Sequence, residues 1–182
     1  MRIISGMNKG TNLFTPENRD IRPTSERARE AIFNILGHNN FGVEINNSVV
    51  LDCFCGSGAL GLEALSRGAK KAYFIDNNKV SIDLAQKNII LLKQTVNART
   101  ILADVNNLPV AEQTCNLVFL DPPYRQNLIP LAINELKNKN WIDKFSLIIV
   151  EIAKKDILPE SLVVIKERTY GKALICITKI KE

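Results

Sequence analysis

The chain has 182 residues, 46% of them hydrophobic, which is enough for one full core and too little for a separate substrate domain of ordinary size. Its 24 Lys and Arg against 19 Asp and Glu leave a net charge of +5, a mild pointer to a polyanionic partner. Four cysteines without a C-x-x-C pair and a single histidine argue against a metal site, and the strand-sized apolar runs argue against a signal peptide or membrane span, so a cytoplasmic protein with reduced thiols is expected.

In chain order, MRIISGMNKGTNLFTP places two short apolar runs around a Gly, Asn and Lys turn and predicts a small hairpin. RPTSERAREAIFNIL follows as a helix, with Ala28, Ala31, Ile32, Ile35 and Leu36 on one face, Thr24 as N-cap and Gly37 as a stop. Arg27 and Arg29 are expected away from that apolar stripe. The polar stretch GHNNFGVEINNS closes an N-terminal arm, residues 1–47, ahead of a main domain of residues 48–182. From residue 48 strands and helices alternate: SVVLDCF, a helix over about 59–66, KAYFID, a helix over about 78–93, RTILA, NLVFLD, a helix over about 127–138, and SLIIVEI. The last segment reads as two strands joined at Gly171. The fold class is therefore α/β, a Rossmann-like, mostly parallel seven-stranded sheet with helices on both faces, a C-terminal antiparallel hairpin and the small N-terminal hairpin and helix arm.

VVLDCFCGSGALGLEAL carries Gly56, Gly58 and Gly61 in the spacing G-x-G-x-x-G, which lets a nucleotide-like ligand approach a helix N-terminus. Asp76 ends the next strand, 20 residues after Gly56, where an acid can accept hydrogen bonds from ribose hydroxyls. That acid suits NAD and S-adenosylmethionine alike. Asp52, at the end of the first strand, separates them: a carboxylate beside a pyrophosphate costs about 4 kcal/mol per close pair of charges. It attracts the ammonium and sulfonium of S-adenosylmethionine instead. Asp104, after the third strand, belongs to the same crevice, with the backbone of Val105 beside it, although Asp104 equally suits a helix N-cap.

FLDPPYRQN puts Asp121-Pro122-Pro123-Tyr124 directly after the fourth strand. The prolines remove backbone donors and hold the chain extended, so an acid, outward carbonyls and an aromatic ring are offered to a planar group bearing N–H donors. An exocyclic amine on a nucleobase is such a group, with Tyr124 stacking on the base for about 1–3 kcal/mol. These blocks resemble the class I S-adenosylmethionine-dependent methyltransferases with a [DN]-P-P-[YF] motif, which modify exocyclic amino nitrogens. RIISGMNKG, RPTSERAREAIFNIL, DCFCGSGALGLEALSRGA and FLDPPY are further similar, in order and spacing, to the small bacterial methyltransferases that make N2-methylguanine in 16S ribosomal RNA. The resemblance spans nearly the whole chain and implies a substrate that is an assembled or partly assembled small ribosomal subunit. Asn77, where a second acid or other polar residue is common, and Cys55, where a small residue such as Ala is frequent, depart from the pattern.

The candidate cofactor site is thus Asp52, Cys53, Phe54, Gly56, Gly58, Asp76, Asn77, Asp104 and Val105 around S-adenosyl-L-methionine. Asp121, Pro122, Pro123 and Tyr124 form the candidate catalytic group, in which Asp121 and the Pro122 carbonyl accept from the amine and aim its lone pair at the methyl. A structured RNA must present its base exposed or flipped, and Lys9, Arg22, Arg27, Arg29 and Arg125 are the candidate basic rim. A monomer with no membrane partner is expected. The rival readings are a nicotinamide oxidoreductase, which leaves D-P-P-Y unexplained, a noncatalytic RNA-binding factor, an N6-adenine methyltransferase, and a pyrimidine C-methyltransferase using Cys115. The last is disfavoured because Cys115 precedes the buried strand instead of following it.

Overall fold

The structure, a computed structural model, describes residues 1–16, 26–38, 41–123, 128–154, 156–171 and 173–181. Its elements are α1 (Glu26–His38), β1 (Val49–Cys53), α2 (Ala59–Ser66), β2 (Lys71–Asp76), α3 (Lys79–Leu91), β3 (Ala98–Leu102), β4 (Leu117–Leu120), α4 (Leu128–Asn138), β5 (Leu147–Ala153), β6 (Leu162–Tyr170) and β7 (Ala173–Ile180). Seven strands form one sheet in the order β3-β2-β1-β4-β5-β7-β6. β1 to β5 are mutually parallel, while β7 is antiparallel to both β5 and β6. The expected sheet and its C-terminal antiparallel pair are both present. The order reverses at β1 and β4, which opens a crevice at their carboxyl ends where α/β sheets bind ligands.

The central strands are near-continuous apolar runs because both faces are covered. Their side chains alternate between two cores: on β2, Phe74 joins Phe33, Phe119 and Ile175 under α1, α2 and α3, while Tyr73 joins Trp141, Leu136 and Ile148 under α4. Phe33 meets Phe119 at 5.6 Å, and Tyr73 meets Trp141 edge-on at 5.1 Å. Among the described residues no helix is long and apolar enough to cross a membrane.

The N-terminal hairpin forms, but as a minimal one. Arg2 and Asn12 make an isolated antiparallel bridge, flanked by bonds from Ile3 N–H to the Thr11 carbonyl at 3.0 Å and from Leu13 N–H to the Met1 carbonyl at 2.9 Å. Ile3 and Leu13 are buried in the same core as α1–α3. At the turn, Gly6 has φ +84°, and a Cβ there would lie 1.8 Å from the Ser66 carbonyl oxygen, so only glycine lets the hairpin approach the end of α2.

α1 departs from expectation in two ways. It runs through Gly37 to His38, whereas Thr24 lies outside the described residues. Arg29, expected on the solvent face, is fully buried. The reason is Glu63, an equally buried acid inside the otherwise apolar α2. Its carboxylate accepts from the N–H groups of Ile4 at 2.7 Å and Ser5 at 3.0 Å and from Arg67 at 2.7 Å, with Arg29 Nε at 3.9 Å. Arg29 also donates to the Arg2 carbonyl. Burial lowers the Arg29 pKa from its usual value and Glu63 pulls it back up. Arg29 therefore clamps the hairpin and α1 to α2 and has no place on an RNA rim.

Candidate active site

The turn between β1 and α2 is built from three residues in the left-handed region: Phe54 at φ +67°, Gly56 at +53° and Gly58 at +78°. For phenylalanine that conformation costs about 1–2 kcal/mol, strain of the kind that gathers where a backbone is held for a ligand. Two bonds pin the turn, Cys55 N–H to the Ile75 carbonyl at 3.0 Å and Gly58 N–H to the Cys55 carbonyl at 2.7 Å. Gly61 has a different task. A Cβ there would lie 2.5 Å from the Phe74 ring and 3.2 Å from the Asp52 Cβ, so its glycine lets α2 settle onto the sheet.

Asp76 faces the turn from the end of β2. Its Oδ2 accepts the Gly56 N–H at 3.0 Å, and its Oδ1 accepts the Asn78 N–H at 2.9 Å. Asp52 lies deeper than the sequence suggested. It is 2% exposed, and its Oδ2 accepts the Gly61 N–H at 2.8 Å, inside the first turn of α2. Burial pushes its carboxyl up to about 8; the Gly61 hydrogen bond opposes that rise, and the charges of Asp121 and Asp76 add to it. One of α2's free N-terminal donors is thus already committed to an acid, and three carboxylates influence one another at this sheet edge. A pyrophosphate would meet both a missing donor and repulsion, whereas a cationic ligand meets neither.

On the next loop, Asp104 Oδ1 accepts from the Asn106 N–H at 2.8 Å and its side-chain amide at 2.7 Å. These bonds, with a further one from Asn77, hold the Asp104 carboxyl below its usual value. Cys53 and Val105 bury their side chains in the α4-side core, so each offers the crevice its backbone.

Leu120 pairs with Cys53, so Asp121 leaves β4 alongside Phe54, across from the glycine turn. Asp121 is half-buried, Pro122 buried and Pro123 exposed. Tyr124, Arg125 and Arg22 lie outside the described residues. Arg27 is exposed on the first turn of α1. Lys9 lies at the hairpin tip, where its N–H bonds Gly6, against the C-terminal end of α2. That helix of 8 residues separates it from the glycine turn by about 12 Å. Cys115 is fully buried, and burial pushes its thiol up to about 12, which removes it as a nucleophile.

Asn88 was missed in the sequence, although a polar residue on the apolar stripe of α3 with Ile82, Ala85 and Ile89 signals it. Its amide donates to the Ser57 carbonyl at 2.9 Å and the Phe14 carbonyl at 3.1 Å, and its oxygen accepts the Phe14 N–H at 2.8 Å. It ties the returning limb of the hairpin to the glycine turn.

The family model described as conserved hypothetical protein 95 matches residues 1–179. The chain is 37% identical over 179 residues to the ribosomal RNA small subunit methyltransferase D of Haemophilus influenzae, covering 94% of this chain and 89% of that protein. It is 39% identical over 160 residues to the Escherichia coli K12 protein of the same name, covering 87% and 78%. The solved structure of yhhF from Escherichia coli, described as a candidate methyltransferase, matches with a TM-score of 0.82 at 34% identity, covering 100% of this chain and 98% of that one. Sequence, sheet order and crevice agree, and the chain is a methyltransferase belonging to the conserved hypothetical protein 95 family.

Proposed function

We propose that this methyltransferase uses S-adenosyl-L-methionine to methylate the exocyclic N2 amine of a guanine in 16S ribosomal RNA, within the small subunit or an assembly intermediate of it. The observation that carries the reading is the meeting, at one sheet edge, of an acid-flanked glycine turn and Asp121-Pro122. The names of the relatives, which specify small-subunit ribosomal RNA, support the substrate class.

The residues present fit the cofactor. Left-handed Gly56 and Gly58 present no Cβ atoms at their own positions in the turn, Asp76 reaches the turn as an acceptor, and the neighbouring acids Asp52, Asp76 and Asp121 together favour positive charge. When bound, S-adenosylmethionine supplies a methyl group made electrophilic by its sulfonium. Guanine N2 is a poor nucleophile because its lone pair is delocalised into the ring. Asp121 and the Pro122 carbonyl accept its N–H bonds, localise that lone pair and stabilise the positive charge that develops on nitrogen; one preorganised group of this kind contributes about 3 kcal/mol. Pro122 and Pro123 bring no backbone donors into competition with the amine. Asp121 is the candidate acceptor for the proton the amine then loses.

The test is transfer of a tritiated methyl group from S-adenosylmethionine to small-subunit particles from cells lacking the activity, followed by nucleoside analysis. N2-methylguanosine is the expected product. N6-methyladenosine, or no label, overturns the assignment.

A further inference from the structure

A cavity of about 480 Å³ lies between α1 and the edge strand β6, lined by Arg27, Glu30 and Asn34 on one side and Lys166, Arg168 and Tyr170 on the other. The β6 side chains reach it through a register shift. A bulge falls between Val164 and Lys166, after which Lys166, Arg168 and Tyr170 pair with Ile177, Ile175 and Ala173 of β7. Directly paired residues of antiparallel strands share a face, and Ile175 and Ile177 pack in the core beneath α1–α3. Lys166, Arg168 and Tyr170 therefore stand on the α1 side; without the extra residue, Ile165, Glu167 and Thr169 would stand there instead. The bulge converts an apolar and acidic face into a basic one: among the described lining residues, three cations (Arg27, Lys166, Arg168) stand with one carboxylate, that of Glu30.

The groove also leads to the reaction site. β6 runs in the same direction as β4 and β5, because each of β5 and β6 is antiparallel to β7. Tyr170 pairs with Ala173, which pairs with Ala153 at the end of β5, so Tyr170 lies at the carboxyl edge that carries Asp121. Three strand spacings, about 14 Å, separate β6 from β4.

We propose that this groove seats the phosphodiester backbone flanking the target nucleotide, with Arg27, Lys166 and Arg168 on phosphates and Tyr170 at the end nearest the site, where a base can stack. The proposal rests on the RNA reading above. A groove that presents cations in a row and an aromatic ring suits a nucleic-acid strand, since phosphate contacts position the chain while aromatic faces hold its bases.

The test is the double variant K166A/R168A, whose side chains lie on an edge strand outside the catalytic group. Its affinity for a naked 16S RNA transcript is expected to fall about 20-fold at 0.1 M salt, and the slope of log K against log salt to become shallower by about 1.4, the single-strand value for two lost phosphate contacts. S-adenosylmethionine affinity should stay at the wild-type value, the loss of turnover should appear in KM for RNA, and K166R/R168K should restore binding. Wild-type affinity and slope in the double variant, with the wild-type protein methylating small-subunit particles, overturn the groove and leave the methyltransferase reading standing. Lost activity on particles with intact binding of naked RNA marks a ribosomal-protein contact and overturns the RNA assignment. Failure of the wild-type protein to label the particles overturns the substrate reading itself.

Discussion

Asp121 is the residue on which the proposed chemistry turns, since it is half-buried beside the glycine turn and precedes two residues without N–H donors. D121A should bind S-adenosylmethionine normally while single-turnover methyl transfer falls about 10²-fold; turnover within a few fold of wild type would remove the assigned role. Asp52 makes a separate prediction through its protonation. With its carboxyl at about 8 in the free protein, Asp52 is largely protonated at neutral pH. A cationic cofactor favours the carboxylate, so binding lowers the pKa and releases protons. Affinity should therefore rise with pH up to about 8 and level off above it. D52N keeps an acceptor for Gly61 and should flatten that profile, weakening binding about tenfold or more at pH 8, because it removes one charge attraction to the cofactor at a buried position. Calorimetry in buffers of different ionisation enthalpy reads the proton release, and a flat wild-type profile would contradict it. The three acids were legible because each ends a strand in an alternating pattern. That Asp52 bonds back into α2 was not, since it depends on how closely Gly61 lets the helix approach.

At the scale of elements, α2 and β2 fall where the periodicity put them, because both are mostly apolar and their ends are marked by glycine and acid. The errors lie where one element answers to another. A lone Glu63 in an apolar helix signals a buried cation, but no local pattern names Arg29 on α1 as one of its partners, and Arg29 was read as solvent-facing. Removing the acid takes from buried Arg29 its nearest counter-charge and strands the N–H groups of Ile4 and Ser5. E63A should cost about 3–5 kcal/mol in denaturant unfolding, whereas an exposed acid would cost almost nothing. Asn88 couples elements in the same way, through three hydrogen bonds to Ser57 and Phe14. N88A should lose about 1–3 kcal/mol of stability, since it leaves buried backbone groups unpaired. It should also raise the KM for S-adenosylmethionine more than it lowers kcat, because Ser57 belongs to the glycine turn proposed to hold the cofactor. An effect on stability alone would make Asn88 a packing residue and nothing more. The bulge in β6 was equally invisible: one inserted residue reverses which side chains face α1, and composition does not register it.

For the whole molecule, strand–helix alternation was sufficient to reach the sheet and its class, because few topologies satisfy parallel pairing with both faces covered. It was not sufficient to relate the arm to the rest. The sequence separates residues 1–47 from 48–182, and the physical content of that division is thermal cooperativity. Ile3 and Leu13 pack in the core that also holds Leu62 and Phe74, the hairpin tip closes the end of α2, and Glu63 holds the hairpin's backbone. An arm bound through one shared core should not melt by itself. Truncating a buried Ile or Leu to Ala costs about 2–5 kcal/mol, so I3A/L13A, taken at the lower end of about 2–3 kcal/mol for each site, should lose roughly 4–6 kcal/mol in total. For a chain of this size each kcal/mol moves Tm by about 2–4 °C, giving a fall of roughly 10–20 °C. The form of the transition is the sharper readout. Circular dichroism, tryptophan fluorescence of Trp141 on the far side of the sheet, and S-adenosylmethionine binding should all be lost together at the lowered temperature. A first transition that leaves Trp141 fluorescence and cofactor binding intact would instead establish the arm as an independently melting unit.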